Sequence, residues 1–124
     1  MEIKYSCIFC KPEIRKNTIM ENDLAFVIYD KFPQTKGHLL IIPKRHSETF
    51  FNTTTEEQVA ICELLANAKI YLDKNYKPEG FNIVTNCGAV SGQVVFHTHV
   101  HLIPRYNDDN GRTKAPNGAF KPRS

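Results

Sequence analysis

No stretch of this chain is apolar enough to cross a bilayer. A run such as Leu39-Leu40-Ile41-Ile42 falls far short of the roughly 20 residues a spanning helix needs. Met1 to Tyr5 lack the apolar core of a secretory signal, so a cytoplasmic protein with no membrane partner is expected. Strong charge is missing too. The net charge is only +3, and five of the lysines and arginines fall between residues 105 and 124, which leaves the body near neutrality and favours a small anionic ligand over a nucleic acid. No repeat or linker divides the sequence, and 124 residues suit one domain built on a single core.

Tryptophan is absent, and in a cytosolic chain the four cysteines are expected as thiols or metal ligands before disulfides. Cys7-Ile8-Phe9-Cys10 has the spacing that lets two thiolates close on one tetrahedral zinc ion. A redox pair, or two structural cysteines, fits the same spacing. Cys62 falls in a helical pattern and is expected to be a small buried hydrophobe. Cys87 lies in a Gly-rich loop with no partner evident.

The hydrophobic pattern predicts a strand over 24–30, a loop carrying Pro33 and Gly37, and a second strand over 38–42 that pairs with the first antiparallel and ends at Pro43. Residues 11–22 are polar, with a helical turn expected after Pro12. Thr54-Thr55-Glu56-Glu57 predicts a capping box. Behind it Ile61, Leu65, Ala68 and Leu72 keep helical spacing until Pro78 and Gly80. A third strand is predicted over 81–86, a loop over 87–93, and a fourth strand over 95–103 closed by Pro104. The stretch from 107 to 124 reads as an irregular tail. These elements predict an α+β domain, an antiparallel sheet of about five strands with one long helix packed on it.

Three of the five histidines, His97, His99 and His101, stand at every second position of the last strand. Side chains alternate between strand faces, so Phe96, Thr98, Val100 and Leu102 share one face and the imidazoles the other, roughly 7 Å apart. A tag fragment or a chelating ladder offers a blander explanation, but neither belongs inside an apolar strand. A fold gives up apolar burial along a whole face mainly where that face does chemistry. The glycines and serine of the preceding loop suggest backbone amides that cradle an anion.

His97-Thr98-His99-Val100-His101-Leu102-Ile103 resembles the signature of the histidine triad (HIT) family. Pro33 and Gly37-His38, leading to Ile41-Ile42-Pro43-Lys44-Arg45-His46, resemble its second block, and Gly92-Gln93 a third. The resemblance spans roughly residues 5–105 and implies a HIT domain over 1–106, with 107–124 as tail. It implies a homodimeric nucleotide hydrolase or transferase acting at the α-phosphate of a purine nucleotide conjugate, a dinucleoside polyphosphate or a nucleoside phosphoramidate. By the family's pattern His99 is the nucleophile, and His101 and His38 hold its ring. The amides around Gln93 and Val94 stabilise phosphoryl charge, with Ser91 and Gly92 beside them. Asp30 holds the ribose hydroxyls, and Asn86 lies near the phosphates. In the zinc-bearing, Hint-like branch, a Cys-x-x-Cys pair joins a histidine after the second strand and the first triad histidine. Here these are Cys7, Cys10, His46 and His97, a set for structural zinc.

One position departs from the pattern. Relatives often carry Ser or Thr after Gly-Gln, where this chain has Val94, so leaving-group protonation falls to Ser91 or a water. A base slot is expected from Ile3, Phe9, Phe26 or Ile28. Two other function classes fit the same residues: a nucleotide-binding regulatory module with little turnover, and a zinc-scaffold interaction protein.

Overall fold

The structure, a computed structural model, describes residues 7–108. Ile3 and the tail beyond Asp108 lie outside the described residues. Five strands form one antiparallel sheet: β1 (Met20–Glu21), β2 (Ala25–Tyr29), β3 (Leu39–Pro43), β4 (Gly80–Val84) and β5 (Val100–Arg105), in the order β1-β2-β3-β5-β4. A short helix, α1 (Pro12–Arg15), follows the cysteine pair, and α2 (Thr55–Asn75) is the long helix.

The expected capping box starts α2. The Thr54 hydroxyl accepts from the Glu57 amide at 3.0 Å, and the Glu57 carboxylate accepts from the Thr54 amide at 2.8 Å. Glu57 does more than cap. Its carboxylate also takes both Nε and an Nη of Arg45 at 2.9 Å, a bidentate pair that ties the helix start to the chain leaving β3. The helix buries Ala60, Ile61, Leu64, Ala68 and Leu72 against Val27, Leu39, Ile41, Val100 and Leu102 of the sheet. Each fully buried Leu or Ile is worth about 1.5–3 kcal/mol, so this face supplies most of the core. The stripe steps through 57, 60, 61, 64, 68 and 72, and it places Leu65 only half inside. Cys62, expected in the core, is exposed instead because it sits one residue past Ile61, about 100° around the helix.

The opposite sheet face carries the histidines. Strand register places Ile28, Leu40, His101 and Val84 in one row across the sheet, so side chains two residues along from these, such as Asp30 and His38, share that face. Phe9 from the cysteine turn packs there with Phe26, Ile28, Leu40 and Ile42. On the helix side, Gly37 lets the turn between β2 and β3 pack closely on the end of α2. Its φ of +88° suits glycine, and an added Cβ would lie 3.1 Å from a Leu72 methyl and 3.2 Å from the Tyr76 ring.

The last strand differs from expectation at both ends. It begins at Val100, because the Thr98 amide donates to the Ser47 carbonyl at 2.7 Å and its hydroxyl meets the Ser47 hydroxyl at 2.8 Å. His97 and His99 therefore precede the strand, and Phe96, expected on the buried face, is 45% exposed. At the other end the strand runs through Pro104 to Arg105. The Arg105 carbonyl accepts from Glu79 on the β4 side, so Pro104 points toward β3, where its carbonyl takes the Thr35 hydroxyl and no partner strand demands an N–H.

Candidate functional site

Hydrogen-bond chemistry fixes the proton positions on three of the histidines. His99 Nδ1 lies 2.8 Å from the His97 carbonyl, which can only accept, so the proton is on Nδ1 and Nε2 is the basic nitrogen. His38 Nδ1 accepts from the Gln34 amide at 3.0 Å, which puts the His38 proton on Nε2. That proton points to His101 Nδ1 at 2.9 Å, and the Asp30 carboxylate stands 3.3 Å away. His101 Nδ1 therefore accepts and its proton is on Nε2. The result is a directed relay from Gln34 through His38 to His101, whose ring centroid is 5.2 Å from that of His99. All three rings are buried, and burial holds His99 below the usual histidine value and pushes His101 down to about 3, so both are neutral at pH 7.

Asp30, His38 and His101 also form a geometric trio of the kind that can hold a metal ion. The relay argues against that use, since the Gln34 amide keeps the proton on the nitrogen that would have to ligate.

A second set fits a metal well. The thiols of Cys7 and Cys10 and Nδ1 of His46 and His97 all lie within 4.8 Å of one another. The sulfur-to-nitrogen separations that define hydrogen-bonding contacts are 3.4, 3.4 and 3.5 Å. The edge of a tetrahedron with zinc-length bonds is roughly 3.6 Å, so the donors already stand near ligating positions. His97 Nε2 donates to the Pro43 carbonyl at 2.8 Å, which directs its Nδ1 lone pair at the thiols. Burial pushes His97 down to about 4 and the Cys7 thiol up, and a bound cation reverses the second of these by favouring thiolate.

The loop before the triad is closed by Gln93. Its side-chain oxygen accepts from the Gly88 amide at 2.7 Å, and its side-chain nitrogen reaches the carbonyls of Glu48 and Val95 at 2.6 and 3.0 Å. The amides of Ser91, Gly92 and Gln93 donate to carbonyls inside the loop, whereas the Val94 amide, which follows them, meets no backbone acceptor among the described residues. Gly92, at φ +103°, lies beside the Asn86 side chain. Ser91 is exposed and its hydroxyl donates back to the Cys87 and Gly88 carbonyls.

A cavity of about 550 Å³ opens next to this loop. Phe9, Ile14, Ile28, Leu40 and Val95 line it with apolar surface, and Asp30, Lys31 and Asn17 add polar groups. The size and the apolar lining with few polar groups suit a small organic ligand. Of the residues expected to form a base slot, Phe9 and Ile28 line the cavity, while Phe26 is fully buried beneath it. Gln34, Ser47 and the pairing of Glu57 with Arg45 escaped sequence reasoning because these roles run through backbone groups or tertiary pairs that no motif records.

The sequence from 11 to 108 matches the family model described as the HIT domain. An uncharacterized HIT-like protein of Mycoplasma genitalium is 41% identical over 109 residues, covering 86% of this chain and 77% of that protein. An adenylylsulfatase of Arabidopsis thaliana is 39% identical, covering 86% and 56%. An adenosine 5'-monophosphoramidase of Schizosaccharomyces pombe is 34% identical, covering 86% and 79%. Among solved structures, a HIT family protein from Bacillus anthracis superposes with a TM-score of 0.82 at 34% identity over 90% of this chain and 81% of that one. A zinc-bound histidine triad family protein from Mycobacterium smegmatis does so at 0.77 and 30% identity, over 90% and 84%.

Proposed function

Because the chain belongs to the HIT domain family, we propose that it is a nucleotidyl hydrolase or transferase working through a nucleotidyl-histidine intermediate on His99. The observation that carries this reading is the His99 ring. It is buried and neutral, its Nδ1 proton is held by the His97 carbonyl, and its Nε2 is therefore the nucleophilic nitrogen. The nearby cavity takes a purine nucleoside with its ribose against Asp30, which sets the α-phosphate toward the triad. Nε2 attacks phosphorus in line, and the bond to the leaving amine, phosphate or sulfate breaks. Water then attacks the same phosphorus, displaces the ring and releases the nucleoside monophosphate. His38 and His101 hold the His99 ring in place, and the Val94 amide stabilises the charge on the phosphoryl oxygens. Val94 has no proton to give, so the leaving group takes one from Ser91 or from a water.

Cys7, Cys10, His46 and His97 would hold a structural zinc ion, supported by the near-tetrahedral donor spacing and by the zinc-bound relative. Zinc would fasten the N-terminal turn to the residue whose carbonyl orients His99. A homodimer agrees with the open edge of β4, where Ile83 is 61% exposed, and with Ile70, 66% exposed on α2. The activity is tested by incubating the protein with adenosine phosphoramidate and with diadenosine polyphosphates and measuring AMP. Absence of product rejects catalysis, product that survives His99→Ala rejects His99 as the nucleophile, and binding without turnover would establish the regulatory alternative. Metal analysis tests zinc: none in wild type, or an unchanged content in Cys7→Ala, rejects that assignment.

A further inference from the structure

We propose that Phe9 is a positioning residue that couples the cysteine turn to the nucleophile, so that nucleotide in the cavity and zinc on the turn stabilise one another. The inference rests on the nucleotide and zinc assignments above. Phe9 sits between Cys7 and Cys10, on a turn closed by the Cys10 amide donating to the Cys7 carbonyl at 3.1 Å. Its ring is only 6% exposed. It meets His97 edge-on at 5.9 Å and 89°, and His99 at 5.2 Å and 68°. Phe9 also lines the cavity.

A phenyl ring has two side-chain torsions, and here its surroundings constrain both. Fixing the backbone of the cysteine turn fixes where the ring can lie. The ring in turn bounds the rotation of His99, and that rotation decides whether Nδ1 keeps the His97 carbonyl and Nε2 faces the ligand. Held the other way, a purine packed on Phe9 restrains the turn and its two thiols. Coupling of this kind is reciprocal, so zinc must tighten nucleotide binding by the factor by which nucleotide tightens zinc.

The test follows zinc transfer from the full chain to a chromogenic chelator, with and without saturating AMP, after zinc content and AMP affinity have been measured. In wild type AMP should slow release and, at equilibrium with the chelator, should tighten zinc by about fivefold or more, the lower range of coupled sites. Phe9→Leu should keep one zinc ion per chain yet lose nearly all of this protection, and Phe9→Tyr should retain it. In Phe9→Leu the nitrogen NMR signals of His99 should change from one Nδ1–H tautomer to a mixture, and kcat should fall more than KM rises. Equal AMP protection in wild type and Phe9→Leu overturns the inference, as does no protection in a wild type that holds zinc and binds AMP. Should Phe9→Leu fail to fold, Phe9→Met and the wild-type AMP effect decide the question. A wild type that lacks zinc or does not bind AMP refutes the underlying assignments and this inference with them.

Discussion

Replacing Gln93 by Ala should disable the phosphate loop while leaving every histidine in the chain. The side chain is 4% exposed and makes three hydrogen bonds to backbone groups of three segments: the Gly88 amide, the Glu48 carbonyl and the Val95 carbonyl. Alanine satisfies none of them. At about 1 kcal/mol net for each bond, the loss comes to roughly 3 kcal/mol. For a domain of this size, each 1 kcal/mol moves Tm by about 4–8 °C, so the expected drop is roughly 12–24 °C. Gln93→Glu separates the two ends of the side chain, since it keeps an acceptor for Gly88 but turns acceptors toward two carbonyls, and it should be no more stable than the alanine variant. Below its new Tm, Gln93→Ala should also lose turnover, because the loop no longer aims the Val94 amide. Loss of one such donor costs about 10²–10³ in kcat. Thermal unfolding by circular dichroism and AMP release are the assays. A variant that melts within about 3 °C of wild type, less than 1 kcal/mol implies, and turns over normally would refute the assignment of Gln93 as the clasp of the loop.

Glu57 gives a pH-dependent counterpart. Its hydrogen bonds to Arg45 hold its carboxyl below the usual glutamate value of about 4.3, so its contribution is present above that pH and is lost as pH falls through the lower folded value. The difference in unfolding free energy between wild type and Glu57→Gln should therefore be largest near neutrality and shrink below about pH 4. A difference that is flat, or that grows toward acid, contradicts the pairing. Val94→Ser restores a hydroxyl beside the reacting phosphate and should raise kcat for adenosine phosphoramidate several-fold with little change in KM. Unchanged or lower turnover would mean that the leaving group is protonated from a site the serine does not reach.

Apolar runs bounded by turn residues made β2, β3 and β4 legible within a residue or two, and Thr54 and Glu57 announced the helix. The sheet's fifth member, β1, spans only Met20 and Glu21, too short for any periodicity to mark it. The histidine alternation was legible in the sequence, but its local form was not. His97 and His99 lie ahead of β5 because Thr98 is bonded to Ser47, 51 residues away, and no local pattern predicts that pairing. Cys62 was misplaced for a related reason: the helix stripe runs through Leu64, and a small shift in the assumed phase moved a neighbour into the core. The proposed division of labour among histidines rests on the family resemblance, whereas the direction of the relay required the Gln34 amide, a backbone group that residue identity does not reveal.

The central claim is that phosphorus becomes bonded to Nε2 of His99. It is tested by mixing the protein with adenosine phosphoramidate radiolabelled at its phosphorus, quenching in alkali within the first turnover, and locating the label by peptide mapping. The account predicts alkali-stable, acid-labile label on the peptide containing His99, and none in His99→Ala. Label on another residue, or its absence from wild type during rapid AMP release, would contradict it.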